Sequence, residues 1–157
     1  MSELFSLKGK TALVVGVANA DSIAWGIAQA LHRAGAELAI TYLNAKAEPH
    51  VRPLAESLGA SIVSPLDVTD AGQMRSLFAD IEQRWGHLDT VVHSIAFARR
   101  EDLHGRVLDS DASGFGLSMD ISVLSFVRLV RLAEPLMGPD GCCLAMSFYG
   151  SERVVPS

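Results

Sequence analysis

Gly16, Ser22 and Gly26 punctuate the stretch VVGVANADSIAWG, and their types and spacing suit the binding of an anion. The apolar run Thr11 to Val15 reads as a buried strand that Gly16 ends. A polar turn of Asn19, Ala20 and Asp21 follows, and Ser22 can cap a helix that starts there. A strand, a glycine turn and a helix amino terminus aim free backbone N–H groups and the positive end of the helix dipole at one spot. A pyrophosphate fits such a spot. Gly16 would let the backbone approach it, and Gly26 would let helix and strand pack closely. The spacing is not G-x-G-x-x-G, and a glycine turn after a strand is also ordinary turn chemistry. These residues alone leave both readings open.

Other candidates stand at strand ends. Asp67 stands at the carboxyl end of one apolar run, where a plain turn residue is common. His93 closes another, as a hydrogen-bonded core histidine or as a proton carrier. Ser94, Ile95 and Ala96 follow it at the start of a loop.

The elements that must position these residues alternate regularly. Strands are predicted at Thr11–Val15, Glu37–Tyr42, Ser61–Leu66, Leu88–His93 and Gly141–Ser147. Helices are predicted at Ser22–Ala34, with Ile23, Ile27, Ala30 and Leu31 inward, and from about Ala45 to Leu58, interrupted near Pro49 and Pro53. A third, capped by Thr69 or Asp70, turns Met74, Leu77, Phe78, Ile81 and Trp85 inward. A long fourth helix, Ser113–Met137, is broken early by Gly114 and Gly116. Ser94–Ser110 reads as a charged loop and Phe148–Ser157 as a tail. This alternation predicts an α/β fold, a doubly wound parallel sheet of the Rossmann type in the order 3-2-1-4-5, built as one domain over residues 1–157. The crevice should open where the order reverses. The Gly16 turn, Asp67-Val68, Ser94–Ala96 and the segment from Ser147 should meet there.

Composition excludes several classes. A net charge of −5 with dispersed basic residues argues against nucleic acid as a partner. The longest apolar stretch, Ile121–Met137, carries Arg128, Arg131 and Glu134, too many charges for a membrane span. Met1–Lys10 has no apolar signal segment, so a cytoplasmic protein is expected. The adjacent Cys142 and Cys143 would point to opposite faces of a strand. They read as unbridged core residues in a reducing compartment. No metal-ligand pattern is seen.

Taken together, the segments resemble a known family. They are Gly16-Val17-Ala18-Asn19 with Ser22 to Ala28, Asp67-Val68, Val92 to Ala98, Asp120-Ile121-Ser122 with Ser125-Phe126, and Ser147 to Arg153. In this order they resemble the NADH-dependent enoyl-(acyl-carrier-protein) reductases, the divergent branch of the short-chain dehydrogenase/reductase superfamily. The ketoacyl-reductase branch differs: it carries Thr-Gly-x-x-x-Gly-x-Gly at the first turn and Asn-Asn-Ala-Gly after strand four, and this chain has neither.

The resemblance implies an oxidoreductase of fatty-acid synthesis that moves hydride from NADH to an enoyl thioester carried on acyl carrier protein. It implies that Gly16, Ser22 and Ile23 hold the pyrophosphate and nearby ribose. Asp67 and Val68 would meet the adenine, and Ser94, Ile95 and Ala96 would pass under the cofactor. Phe97 and Ala98 would begin the substrate side. Helix 113–137 would form the contact of a homo-oligomer. Three departures stand out. Leu43 occupies a position where many members carry Gln, and no acid or arginine follows strand two, although Lys46 is near, so NADPH stays open beside NADH. Phe148 stands where the family often has Tyr. The family stretch Gly-x-Glu-Arg-x-x-Pro-x-Tyr matches Gly150, Glu152, Arg153 and Pro156, and the sequence stops at Ser157, before the implied Tyr and Lys. Tyr149 with Arg153 is no substitute, because the guanidinium fork cannot replace the lysine ammonium. The expectation is a C-terminally truncated, incomplete sheet with no catalytic residue. Its apolar surface would be uncovered on strands four and five, NADH binding weak or absent, and turnover absent. The alternative is a non-catalytic dinucleotide-binding or assembly module.

Overall fold

The apolar runs form five parallel strands: β1 (Thr11–Val15), β2 (Glu37–Tyr42), β3 (Ile62–Pro65), β4 (Thr90–His93) and β5 (Cys142–Ala145). They come from a computed structural model that describes residues 5–154. The strand order is β3-β2-β1-β4-β5, the Rossmann-like order expected. Val14 at the centre pairs in register with Ile40 on one side and Val92 on the other.

Side chains alternate across a strand, and here they divide the core in two. Val14, Ile40 and Val92 face α1 (Ile23–Ala34) and α2 (Glu48–Ser57). Leu13, Val15, Ala39 and Val91 face α3 (Ala71–Trp85) and α5 (Ser125–Ala133). Both faces are therefore covered at β1, which explains why all five of its residues are buried. Fully burying each Leu, Ile or Val stabilises the fold by roughly 1.5–3 kcal/mol.

Helix ends follow their local chemistry. The Asp70 carboxylate accepts from the Gly72 and Gln73 amides and caps α3. Asp111 accepts from Gly114 N–H at 2.7 Å and caps α4 (Ala112–Met119). Asn44 accepts from the Lys46 and Ala47 amides, so α2 starts at Glu48, later than expected. Pro49 is tolerated in its first turn, and Pro53 lies within the helix.

Four expectations need correction. On α1 the buried residues are Ala24, Trp25 and Ala28, whereas Ile23 is 65% exposed and Ala30 is exposed. Ile27 and Leu31 pack against the core partly buried, as expected, and the centre of the inner face runs through Ala24, Trp25 and Ala28. Gly26 faces open space, and the alanines allow the close approach instead. The predicted helix over 113–137 is α4 and α5 joined by a π turn, Asp120–Leu124, with a short 3₁₀ turn at Glu134–Leu136. Gly114 and Gly116 do not break it. Cys142 is exposed and Cys143 half-buried, because β5 pairs only with β4. Leu144, Met146, Phe148 and Tyr149 are exposed beside them, as expected of strand five, whereas β4, also expected to be uncovered, is buried at Val91, Val92 and His93.

Candidate functional site

A crevice of about 290 Å³ opens at the carboxyl ends of the strands. It is lined by Val15 at the end of β1 and Gly16, Val17 and Ala18 after it, Thr41 in β2 and Leu43 after it, Leu66 after β3, and Ser94, Ile95 and Ala96 after β4. Its position is the switch point between β1 and β4. Ala47, ahead of α2, closes one side.

Gly16 sits at the narrowest crossing. Its φ is +109°, a left-handed conformation that suits glycine. A Cβ built there would overlap the Ser94 carbonyl group, whose carbon is 2.7 Å away. Ser94 N–H in turn donates to Val15 O at 2.9 Å, so the two turns are held against each other.

The amino end of α1 points its amides outward. Ser22 occupies the cap position with extended φ/ψ, but its side chain does not cap. Its hydroxyl donates to Asn19 O at 2.7 Å and accepts from Ala18 N–H at 3.4 Å, closing the preceding turn. The Ile23 and Ala24 amides therefore have no hydrogen-bond partner among the described residues. No acid stands in the first turn of α1. By contrast, α3 and α4 have their first-turn amides taken by Asp70 and Asp111, and each of those carboxyls is held below its usual range by backbone hydrogen bonds. Of these three ends, α1 is the one left ready for an external anion.

The remaining predicted residues are dispersed around this centre. Asp67 follows Leu66 but does not line the crevice. One of its carboxylate oxygens accepts from the Thr69 amide (2.9 Å) and hydroxyl (2.6 Å), the turn role weighed in the sequence. Asp67 N–H donates to Gln73 Oε1 at 2.8 Å. The Val68 side chain is buried in the core under α3. Phe97 is exposed, and Ala98 lines a separate hollow of about 130 Å³ with Asp102, Gly114 and Ser118. The segment from Ser147 does not reach the crevice, and Pro156 lies outside the described residues.

His93 is 1% exposed and does not line the crevice. Its Nε2 lies 2.7 Å from Ser125 Oγ. Burial pushes its imidazole below the ordinary range, so it stays neutral at pH 7. It is the core histidine of the two readings. Thr41, Leu66 and Ala47 were missed as crevice residues. The signal for Thr41 was a hydroxyl residue next to the carboxyl end of a largely apolar strand. The other two carry no chemical signature.

Among the described residues no helix is long and apolar enough to cross a membrane, and no three His, Cys, Asp or Glu side chains converge as for a metal.

Comparison with known proteins adds an independent finding. Residues 16–157 match the model of the family described as enoyl-(acyl carrier protein) reductase. The chain is 46% identical over 151 residues to the enoyl-(acyl-carrier-protein) reductase (NADH) of Aquifex aeolicus, covering 96% of this chain and 56% of that protein. It is 43% identical to the corresponding enzyme 1 of Rhizobium meliloti, of which it covers 55%. The crystal structure of the Aquifex aeolicus enzyme superposes with a TM-score of 0.91, over 96% of this chain and 60% of that one. A reductase from Anaplasma phagocytophilum solved in complex with NAD gives a TM-score of 0.90 at 46% identity, over 95% of this chain and 57% of that one. The chain thus spans a little over half the length of these relatives.

Proposed function

Since the chain belongs to the enoyl-(acyl-carrier-protein) reductase family, we propose that its crevice holds NADH for reduction of a trans-2-enoyl thioester carried on acyl carrier protein. In this reaction hydride leaves the nicotinamide for the β-carbon of the enoyl group. The electron pair moves onto the thioester oxygen as an enolate, and a proton then adds at the α-carbon. Residues 1–157 act in this reading as one dinucleotide-binding domain of a cytoplasmic enzyme.

The observation that carries the proposal is the uncapped amino end of α1 beside the Gly16 crossing. The free Ile23 and Ala24 amides and the helix dipole suit a pyrophosphate. Gly16 and Ser22 form the turn around it. Ser94, Ile95 and Ala96 form the floor under the nicotinamide half. Asp67 keeps one carboxylate oxygen outside its turn, available to accept from the adenine amino group, with the Val68 backbone beside it. Ala98 opens the acyl side. No residue is assigned a catalytic role: neither tyrosine, Tyr42 nor Tyr149, lines the crevice.

A row of exposed apolar side chains, Phe115, Met119, Val123 and Val127, runs along α4 and α5. Its proposed partner is a second copy of the chain.

The test is an NMR titration of the chain with NADH to concentrations on the order of millimolar. Weak, saturable shifts at the amides of Gly16, Ile23 and Ser94–Ala96 are expected, with no reduction of a crotonyl thioester by residues 1–157 alone. Unmoved amides at those positions would remove the binding assignment. Thioester reduction above blank would remove the statement about catalysis.

A further inference from the structure

Both ends of the crevice floor are tied to one rare element. The floor, Ser94–Ala96, is bounded by His93 and Phe97. Phe97 N–H donates to Ser122 Oγ at 3.1 Å, and that hydroxyl returns to Phe97 O at 3.4 Å. His93 meets Ser125 Oγ at 2.7 Å. Ser122 lies inside the π turn and Ser125 directly follows it.

The π turn sets the polarity of the second tie. Ser125 N–H reaches back five residues to Asp120 O. Its hydroxyl instead donates to Ile121 O at 2.6 Å. With the single hydroxyl proton committed there, Ser125 Oγ accepts, and His93 Nε2 carries the hydrogen. His93 and Ser125 are both buried, so water cannot replace either partner. A regular helix would offset Ser122 and Ser125 differently, and π turns of this kind are frequent at functional sites.

We propose that Ser122 and Ser125 are positioning residues, a two-point clamp through which the π turn sets the height of the Ser94–Ala96 backbone beneath the ligand. The ligand named here rests on the function proposed above; the clamp itself does not.

The test measures amide hydrogen exchange and NADH affinity in Ser122→Ala, Ser122→Thr and Ser125→Ala chains. The Ser94 amide is the probe, because its own partner, Val15 O, is untouched by these changes. In Ser122→Ala its exchange should accelerate about tenfold, with the Val14 and Val92 amides unchanged. Threonine, which keeps the hydroxyl, should restore the slow rate. NADH affinity should fall several-fold in the alanine variant and recover with threonine. Unchanged Ser94 exchange would overturn the clamp, as would equal acceleration throughout the sheet, which marks a general packing role. If Ser125→Ala does not fold, the partly exposed Ser122 still decides the question. If the unaltered chain shows no NADH binding, the functional reading fails, while the Ser94 rate still judges the clamp.

Discussion

The Ser94 carbonyl group fills the space that a Cβ on Gly16 would enter, with its carbon 2.7 Å from that position. Two strand ends on opposite sides of the switch point therefore touch through backbone alone. Gly16→Ala meets two penalties, a left-handed φ of +109° and a clash with backbone that cannot rotate away. The expected loss is about 2–5 kcal/mol of unfolding free energy, read from the urea midpoint at constant slope. An alanine variant as stable as the parent would show that the crossing is looser than described.

Much of this arrangement was legible beforehand, and the failures have physical causes. Five apolar runs separated by helix-length segments admit few topologies, because parallel crossovers are right-handed. The order β3-β2-β1-β4-β5 followed. The inner face of α1 was legible at Ile27 and Leu31 but misjudged at Ile23 and Ala30, because the periodicity of the large aliphatics centred the face away from Ala24, Trp25 and Ala28. Ala24, Trp25 and Ala28 are buried at its centre, whereas Ile23, the first helical residue, is 65% exposed. The π turn was invisible because one extra residue in a helix changes no composition. Its trace was Ser125, a hydroxyl at a helix position that proves buried, four residues from Leu129. Asp67 was ambiguous because the same carboxylate type suits a turn and a ligand, and the structure gives one oxygen to the turn.

His93 makes stability depend on pH. Burial holds its folded imidazole below the unfolded value of 6.5. In the window between the two values the unfolded chain binds more protons, so stability falls as pH drops below 6.5 and continues to fall until the folded value is reached. The slope for one such group reaches at most about 1.4 kcal/mol per pH unit. Melting temperatures followed from about pH 7.5 down to about pH 5 should decline in the parent and decline less in His93→Gln. Parallel curves for the two chains would assign the pH dependence elsewhere.

Leu43 lines the crevice rim and is 55% exposed. It offers neither an acceptor for a ribose 2′-hydroxyl nor a charge toward a 2′-phosphate. An acid at this point would do both, favouring the hydroxyl and repelling the phosphate. Leu43→Asp should therefore shift the ratio of NADPH to NADH dissociation constants upward by about tenfold or more, with most of the change in NADPH. Competition titrations with the two nucleotides give that ratio. An unaltered ratio would place the adenosine ribose away from Leu43.

Ser22 separates stability from binding. Its hydroxyl serves the preceding turn, which leaves the Ile23 and Ala24 amides open. The backbone at Ser22 is already extended, as a capping residue requires. Ser22→Asp would place a carboxylate over those amides, where it caps the helix and complements its dipole. The stabilising effect of such a cap is about 0.5–1 kcal/mol, offset in part by loss of the bond to Asn19 O. The same carboxylate occupies the proposed pyrophosphate position and repels it. The variant should melt at or above the parent temperature while its NADH affinity falls by an order of magnitude or more. A variant that melts higher and still binds NADH as the parent does would move the phosphates off this helix end. One that loses both stability and binding would show the Asn19 turn, rather than the open amides, to be the part that matters.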